Sequence, residues 1–278
     1  YLNTMTKVSI IGLGWIGLPL AQLLQERGHD VIGSTTTAEK KTKIEDLGVE
    51  VVEFALVPFP QGKAFQKLFL SEVLVINIPP RSRSTDGKFY LEQMKYLRTM
   101  VDQAGIKKII FVSSTGVYPD HVRAEAYLED DEINSETTGN VTLLKGEKTF
   151  KSTKELTIVR FGGLMGDDRI PGKYVAGKEN VAGHTRVNYI HRIDAVRLLA
   201  WIIEKKLWNE VYNGVAPVHA LRKDIYEQNV RELGFEPPRS YQNASESDDR
   251  LISGDKILSS GFEFEYPNPL NFPYFKTN

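Results

Sequence analysis

Short runs of Val and Ile recur along the chain, each followed by a longer stretch in which apolar residues return every three or four positions. That alternation predicts βαβ units, because crossover helices cover a parallel sheet and leave its strands apolar on both faces. Val8 to Ile11 reads as the first strand, Pro19 to Arg27 as a helix stopped by Gly28, and His29 to Gly33 as the second strand. A helix from Ala38 to Leu47 is stopped by Gly48, and strands follow at Val49 to Phe54 and Val73 to Ile78. A long helix, Phe89 to Ala104, ends at Gly105 before a fifth strand, Lys108 to Ser113. From Tyr118 to Asn140 the pattern dissolves into polar and acidic residues, which we read as a mobile loop at the carboxyl edge of the sheet. Periodicity returns as a helix around Leu144 to Lys151, a strand Leu156 to Phe161, a helix Ile193 to Lys205, a strand Val211 to Asn213 and a helix Arg222 to Leu233. The fold class expected is α/β, a doubly wound parallel sheet with a smaller carboxyl-terminal lobe. In residues, that is a first domain over 5–163 to which 186–214 returns, with 164–185 and 215–278 in the lobe.

Composition narrows the partners. The 278 residues hold 35 Lys and Arg against 36 Asp and Glu, a net charge of −1, with 41% hydrophobic residues. No basic stripe exists to displace counterions from a nucleic acid, so none is expected as partner. Lys40, Lys41 and Lys43 sit among Glu39, Glu45 and Asp46 and read as a solvated helix face. With no cysteine there is no disulfide framework and no thiolate site, and a cytoplasmic location is the expectation. The longest apolar stretch, Val8 to Leu24, carries three Gly and a Pro and has no basic n-region or small-residue cleavage site, so it reads as neither a signal peptide nor a membrane span. His, Asp and Glu fall nowhere at metal-ligand spacing, and no metal is expected.

The chemistry starts at Gly12-Leu13-Gly14-Trp15-Ile16-Gly17, a G-x-G-x-x-G that follows a strand, opens a helix and precedes a second strand at the right distance. In that context Gly12 makes the tight turn, Gly14 lets a pyrophosphate approach the backbone, and Gly17 lets helix and strand pack closely. The exposed amides of the helix start, with Trp15 and Ile16 in the turn, favour the phosphates of a dinucleotide. An acid about 20 positions on would grip the 2′-hydroxyl of NAD. Here the second strand ends Gly33-Ser34-Thr35-Thr36-Thr37, with no acid before Glu39. The hydroxyls of Ser34, Thr35 and Thr36, with Lys40 or Lys41 behind, lean toward the 2′-phosphate of NADP over NAD; the bland alternative is that Ser34 to Thr37 only caps the next helix.

Four further segments carry a resemblance. Phe111-Val112-Ser113-Ser114-Thr115-Gly116-Val117-Tyr118-Pro119 is similar to the S-S-x-x-V-Y-G segment of the extended short-chain dehydrogenases/reductases, the epimerase and dehydratase family. Val159 to Gly166 resembles that family's L-R-x-x-N-x-x-G strand and loop, Val187 to Val196 its V-x-x-I-H-V-D-D-V-A helix start, and Ile257 to Phe262 its closing L-x-x-L-G-F. The resemblance implies a Rossmann domain, a nicotinamide cofactor, and a Tyr-x-x-x-Lys pair that moves the proton. It places Ser114 at the substrate hydroxyl, Lys145 at the lysine that also bonds the nicotinamide ribose, Ser113 beside the cofactor, and Ile78 and Pro79 along its adenine or ribose side. The tyrosine position is Val141, and Gly163 replaces the family's asparagine. The chain therefore resembles the atypical members, and Tyr118 becomes the first substitute acid or base, followed by Tyr127 and His184. Each of the three also reads as an ordinary packing or loop residue. Asp194 reads as a helix cap.

Arg81 and Arg83 after the fourth strand, with Arg169, Lys173 and Arg186, would give the substrate side a positive rim suited to an anion, unless they are unrelated loop residues. The leading expectation is an NAD(P)-binding oxidoreductase or epimerase-like enzyme, monomer or homodimer, with a small-molecule substrate. The rival is a non-catalytic NADP(H)-binding sensor or regulator, which Val141 and Gly163 favour. The first 30 residues also look like hydroxyacid and 6-phosphogluconate dehydrogenases, but those need an all-helical second half where this chain keeps strands.

Overall fold

The computed structural model describes residues 5–80, 87–243 and 249–275. Its strands are β1 (Lys7–Ile11), β2 (Asp30–Thr35), β3 (Glu50–Leu56), β4 (Pro60–Gly62), β5 (Val73–Ile76), β6 (Lys108–Ser114), β7 (Glu155–Phe161), β8 (Gly163–Met165), β9 (Tyr189–His191) and β10 (Val211–Gly214). The helices are α1 (Gly17–Glu26), α2 (Ala38–Glu45), α3 (Gly87–Ala104), α4 (Val141–Thr149), α5 (Pro171–Val175), α6 (Arg192–Lys205), α7 (Arg222–Leu233) and α8 (Asp255–Ser259). Eight strands form one sheet in the order β10-β7-β6-β5-β1-β2-β3-β4, and β8 and β9 pair separately. From β3 through β2, β1 and β5 to β6 the strands run parallel, which gives the doubly wound α/β fold. The loops after β1 and β5 leave the sheet at neighbouring strands where the winding reverses, the place where open α/β sheets bind ligands.

The strands form because they can be buried on both faces: β5 is buried throughout, and β1 from its second residue on. Leu20, Ala21 and Leu24 give α1 its inward face, and Gly28 then turns the chain at φ +84°. Tyr90, Met94, Leu97 and Val101 fall at helical spacing on α3 and join Phe111, Phe150 and Ile158 in a single core. At roughly 1.5–3 kcal/mol for each fully buried large apolar side chain, that core dominates the stability of this part of the molecule.

The chain divides into two compact units. The first takes residues 1–117, 133–160 and 196–211, and the second takes 118–132, 161–195 and 212–278. The second has its own core, in which Val187, Tyr189, Ala216, Ala220, Ile225 and Phe272 are buried. Its elements β8, β9, α5 and α8 have no counterpart in the sequence reading. Elements of three to five residues are too short to show a period. The segment after β6 is free of regular strands and helices up to Asn140, apart from a 3-10 turn at Thr115–Val117 and a single bridge from Tyr127 to Ile252. No helix among the described residues is long and apolar enough to cross a membrane.

Candidate functional site

In the first unit, β1 ends at Ile11 and the chain turns through residues 12–16 into α1. Gly12 has φ +104°, and a Cβ there would lie 2.5 Å from the Asn77 carbonyl oxygen. A Cβ on Gly17 would lie 2.1 Å from the Gly12 carbonyl oxygen. Neither position admits a side chain. Gly14 is the opposite case, exposed and with nothing within 4 Å of an added Cβ. The turn is thus closed where protein packs on it and open at the glycine expected to face the phosphates. Helix α1 starts without a side-chain cap or an acidic residue in its first turn, which leaves the positive end of its dipole for an anion. A dinucleotide pyrophosphate fits these residues.

The hydroxyls at the end of β2 separate into different roles. Ser34 is 2% exposed, and its Oγ accepts the Gly12 N–H at 3.1 Å. This corrects its expected place on a 2′-phosphate, since the hydroxyl is buried and engaged within the turn. Thr35 is also buried, at 7%. Thr36 is exposed, and Thr37 caps α2 by accepting the Lys40 N–H. In α2, Lys41 pairs with Glu45 at 3.3 Å and Lys43 with Glu39 at 2.6 Å. Lys40 is exposed and has no carboxylate partner among the described residues. Ile78 is half-buried and Pro79 exposed in the loop after β5; Arg81 and Arg83 lie outside the described residues.

At the end of β6, Ser114 Oγ accepts the Gly116 N–H at 3.1 Å, so its own proton remains available to an acceptor. Ser113 points elsewhere: it is buried, and its Oγ donates to Glu147 Oε1 at 2.6 Å. The Glu147 carboxylate is gripped from its other side by Arg160, with Nε to Oε1 at 3.1 Å and Nη2 to Oε2 at 2.9 Å. This network ties α4 to β6 and β7, and it uses the Ser113 hydroxyl that the sequence reading gave to the cofactor. Burial, with Glu147 adding to it, pushes the Tyr90 phenol far above its usual range. On α4, Asn140 caps the helix through the Leu143 N–H at 2.9 Å, and Leu143, Leu144, Gly146 and Glu147 are buried. Val141 and Lys145, four residues apart, are exposed.

In the second unit, the substitute acids fare differently from expectation. Tyr118 is fully buried, and its hydroxyl donates to Asn213 Oδ1 at 2.8 Å. Asn213 in turn donates to the Ser253 carbonyl at 2.9 Å and, through its N–H, to Glu129 at 2.9 Å. A phenol without solvent and with its proton committed does not exchange it with a substrate, so Tyr118 is corrected to a packing residue. Tyr127, 2% exposed, packs its ring at a tilt against Tyr118 at 5.4 Å and donates to the His121 carbonyl at 3.1 Å, and burial raises its pKa. His184 is exposed and meets the Tyr241 ring edge-on at 6.4 Å. Arg186, expected on the substrate rim, is clamped by Asp249: N–H to Oδ1 at 2.6 Å and Nη1 to Oδ2 at 2.5 Å. Asp194 stands in the first turn of α6, not before it, and its two oxygens accept the N–H groups of Glu265 and Tyr266 at 2.8 Å each.

Sequence reasoning missed Asn77, Glu147 and Arg160. The last two had a signal, a charged residue inside an otherwise buried strand and another on the buried face of a helix, since such residues demand partners. A cleft of about 640 Å³ lies elsewhere, along Lys41, Glu50, Glu53, Lys63 and Lys67. It is wide, and ion pairs such as Lys67 with Glu50 at 3.4 Å neutralise its lining. The glycine turn, shaped for one ligand chemistry, is the better candidate.

The NAD(P)H-binding family matches residues 12–206. Protein YeeZ of Escherichia coli (strain K12) is 31% identical over 275 residues, covering 97% of this chain and 99% of that protein. A putative NAD-dependent epimerase/dehydratase from Methylobacillus flagellatus superposes with a TM-score of 0.73 at 23% identity, covering 95% of each chain. The UDP-glucose 4-epimerase of Thermus thermophilus, solved in complex with NAD, superposes with a TM-score of 0.74 at 14% identity, covering 96% of this chain and 97% of that one. These two likenesses show a shared fold.

Proposed function

This chain belongs to the NAD(P)H-binding family, and from that premise we propose an NADP(H)-dependent oxidoreductase or epimerase-like enzyme for a small polar substrate of the anionic or sugar-nucleotide class. The observation that carries the reading is the turn itself, where Gly12 and Gly17 have no room for a side chain while Gly14 faces open space. A nicotinamide ring bound there would accept or deliver a hydride. Gly14 to Gly17 would hold the pyrophosphate. The preference for NADP(H) is supported by the end of β2: it presents no carboxylate, Thr36 is exposed, Glu39 is tied to Lys43, and Lys40 keeps its charge available. Ser114, its oxygen already accepting from Gly116, would donate to a substrate oxygen. The Lys145 ammonium would stabilise negative charge developing there and hold a proton that no phenol at position 141 supplies.

The second reading is an NADP(H) sensor without turnover. What favours it is the pairing of Val141 at the tyrosine position with the complete burial of Tyr118. Titrating the protein with NADPH, NADP, NADH and NAD, followed by Trp15 fluorescence and then by a substrate screen, tests both. We expect NADPH to bind at least about tenfold tighter than NADH, as one added charged contact implies. Turnover should fall in Lys145→Met and persist in Tyr118→Phe. Failure of all four nucleotides to bind would overturn the proposal. Tight binding without hydride transfer to any carbonyl or alcohol substrate would replace it with the sensor.

A further inference from the structure

The glycine turn is held from both sides by side chains that its own spelling does not include. On the β2 side, Ser34 Oγ accepts the Gly12 N–H at 3.1 Å, and the Ser34 carbonyl accepts the Leu13 N–H at 2.8 Å. On the β5 side, Asn77 Nδ2 donates to the Gly12 carbonyl at 3.0 Å, and the Asn77 N–H donates to the Ile11 carbonyl at 3.0 Å. Leu13 completes the grip by packing on Gly33, where any Cβ would come within 2.4 Å of its side chain. From these contacts we propose that Ser34 and Asn77 are positioning residues, which fix the turn in its ligand-ready shape and assign the phosphates to the amides beyond Leu13. The inference rests on the dinucleotide reading above and adds to it.

The physical argument concerns what the turn does without them. A glycine, here at φ +104°, has no side chain to restrict its backbone and a wide choice of other conformations. Its N–H and C=O are both engaged by protein, one by each flanking strand, so the peptide planes on either side of Gly12 cannot rotate without breaking a hydrogen bond. If the Ser34 hydroxyl is removed, the Gly12 N–H loses its acceptor and the turn gains conformations that do not present Gly14 to a ligand. Binding then has to restore order that the protein now supplies in advance. The same geometry explains why a serine stands at the end of β2. Its oxygen serves the turn, and contact with the ribose or its phosphate passes to Thr36 and Lys40.

The test uses the full chain carrying Ser34→Ala or Asn77→Ala, with NADPH titration, amide hydrogen exchange of the unliganded protein, and thermal melting. We expect NADPH to bind about tenfold more weakly in each variant, the loss of one preorganising hydrogen bond, with faster exchange confined to residues 11–15 and melting temperatures close to that of the parent. Should Ser34→Ala not fold, Asn77→Ala reaches the same turn from the opposite strand. Affinity within twofold of the parent in the folded variants would overturn the proposal, as would faster exchange spread through β1, β2 and β5, the signature of a merely structural role. If the parent protein itself bound no NADPH, the dinucleotide reading would fall, while the exchange pattern would still decide whether these two side chains set the turn.

Discussion

The glycine turn and the segment around Tyr118 are equally conspicuous in the sequence, yet one has the geometry its spelling implies and the other does not. In the turn the chemistry belongs to the backbone: what matters is where a Cβ cannot be, and Gly12 and Gly17 satisfy that with 2.5 Å and 2.1 Å to the nearest carbonyl oxygens. Around Tyr118 the chemistry would belong to a side chain, and a side chain's role depends on what surrounds it. Tyr118 has Asn213, 95 positions away, at the end of its hydroxyl, and Tyr127 against its ring. Sites built from backbone can be read from local spacing, and sites built from side chains need the long-range contacts that only the fold supplies.

The strongest way to break this comparison is through the buried charges, where side chains and not backbone carry the structure. Replacing Arg160 with Met leaves the Glu147 carboxylate buried, 3% exposed at its side chain, without its main partner. We expect a loss of about 3–5 kcal/mol in urea unfolding, the usual cost of orphaning a buried ion. The double variant Glu147→Leu with Arg160→Met should recover most of that loss, because no charge then remains buried. If the single variant costs as little as a surface substitution, the pair is not what ties α4 to the sheet.

A finer test separates glycines within the turn. Gly17→Ala must push its Cβ against the Gly12 carbonyl, backbone that cannot step aside, so we expect both a loss of stability of roughly 1–3 kcal/mol and a loss of NADPH binding. Gly14→Ala meets nothing in the protein. Its stability should stay within about 0.5 kcal/mol of the parent, while NADPH affinity falls because the new methyl occupies the space kept for phosphate. Equal melting curves for the two variants would show that the closed and open glycines are not different after all.

Much of the fold was legible. The helix Arg222–Leu233 was read with the bounds it has in the structure, and the strands of the main sheet other than β4, which was not read, lie within about two residues of their expected ends, because long amphipathic or uniformly apolar stretches announce themselves. What stayed hidden was short or distant. β8 and β9, three residues each, sit beside a Gly-rich stretch with no period to detect. Ser34 stands in a string of hydroxyls that look alike in sequence, and only the turn of residues 12–13 against β2 buries it while leaving Thr36 exposed. Asp194 sits where a cap is common, yet its acceptors are filled by amides 71 and 72 positions downstream.

The smallest expected effect concerns His191, which lies in the stretch that resembled a family motif and turns out to be core. It is 1% exposed, packed against the rings of Tyr266 at 4.5 Å and Phe272 at 5.2 Å, with Nδ1 accepting the Ile193 N–H at 3.3 Å. Burial depresses its pKa, and it outweighs the opposing pull of the Pro273 backbone, Asp194 and Glu265. The unfolded chain therefore takes up this proton first, near pH 6.5, and the folded chain only at lower pH. Above about pH 6.5 both states are neutral and the residue adds no pH dependence; as pH falls through that value toward the folded pKa, stability drops by up to roughly 1 kcal/mol per pH unit. His191→Gln, neutral throughout, should remove this slope from urea unfolding measured between about pH 5 and pH 7 while leaving NADPH affinity unchanged. A slope that survives the substitution would place the titrating group elsewhere, and a loss of affinity would mean that this motif serves ligand binding as well as packing.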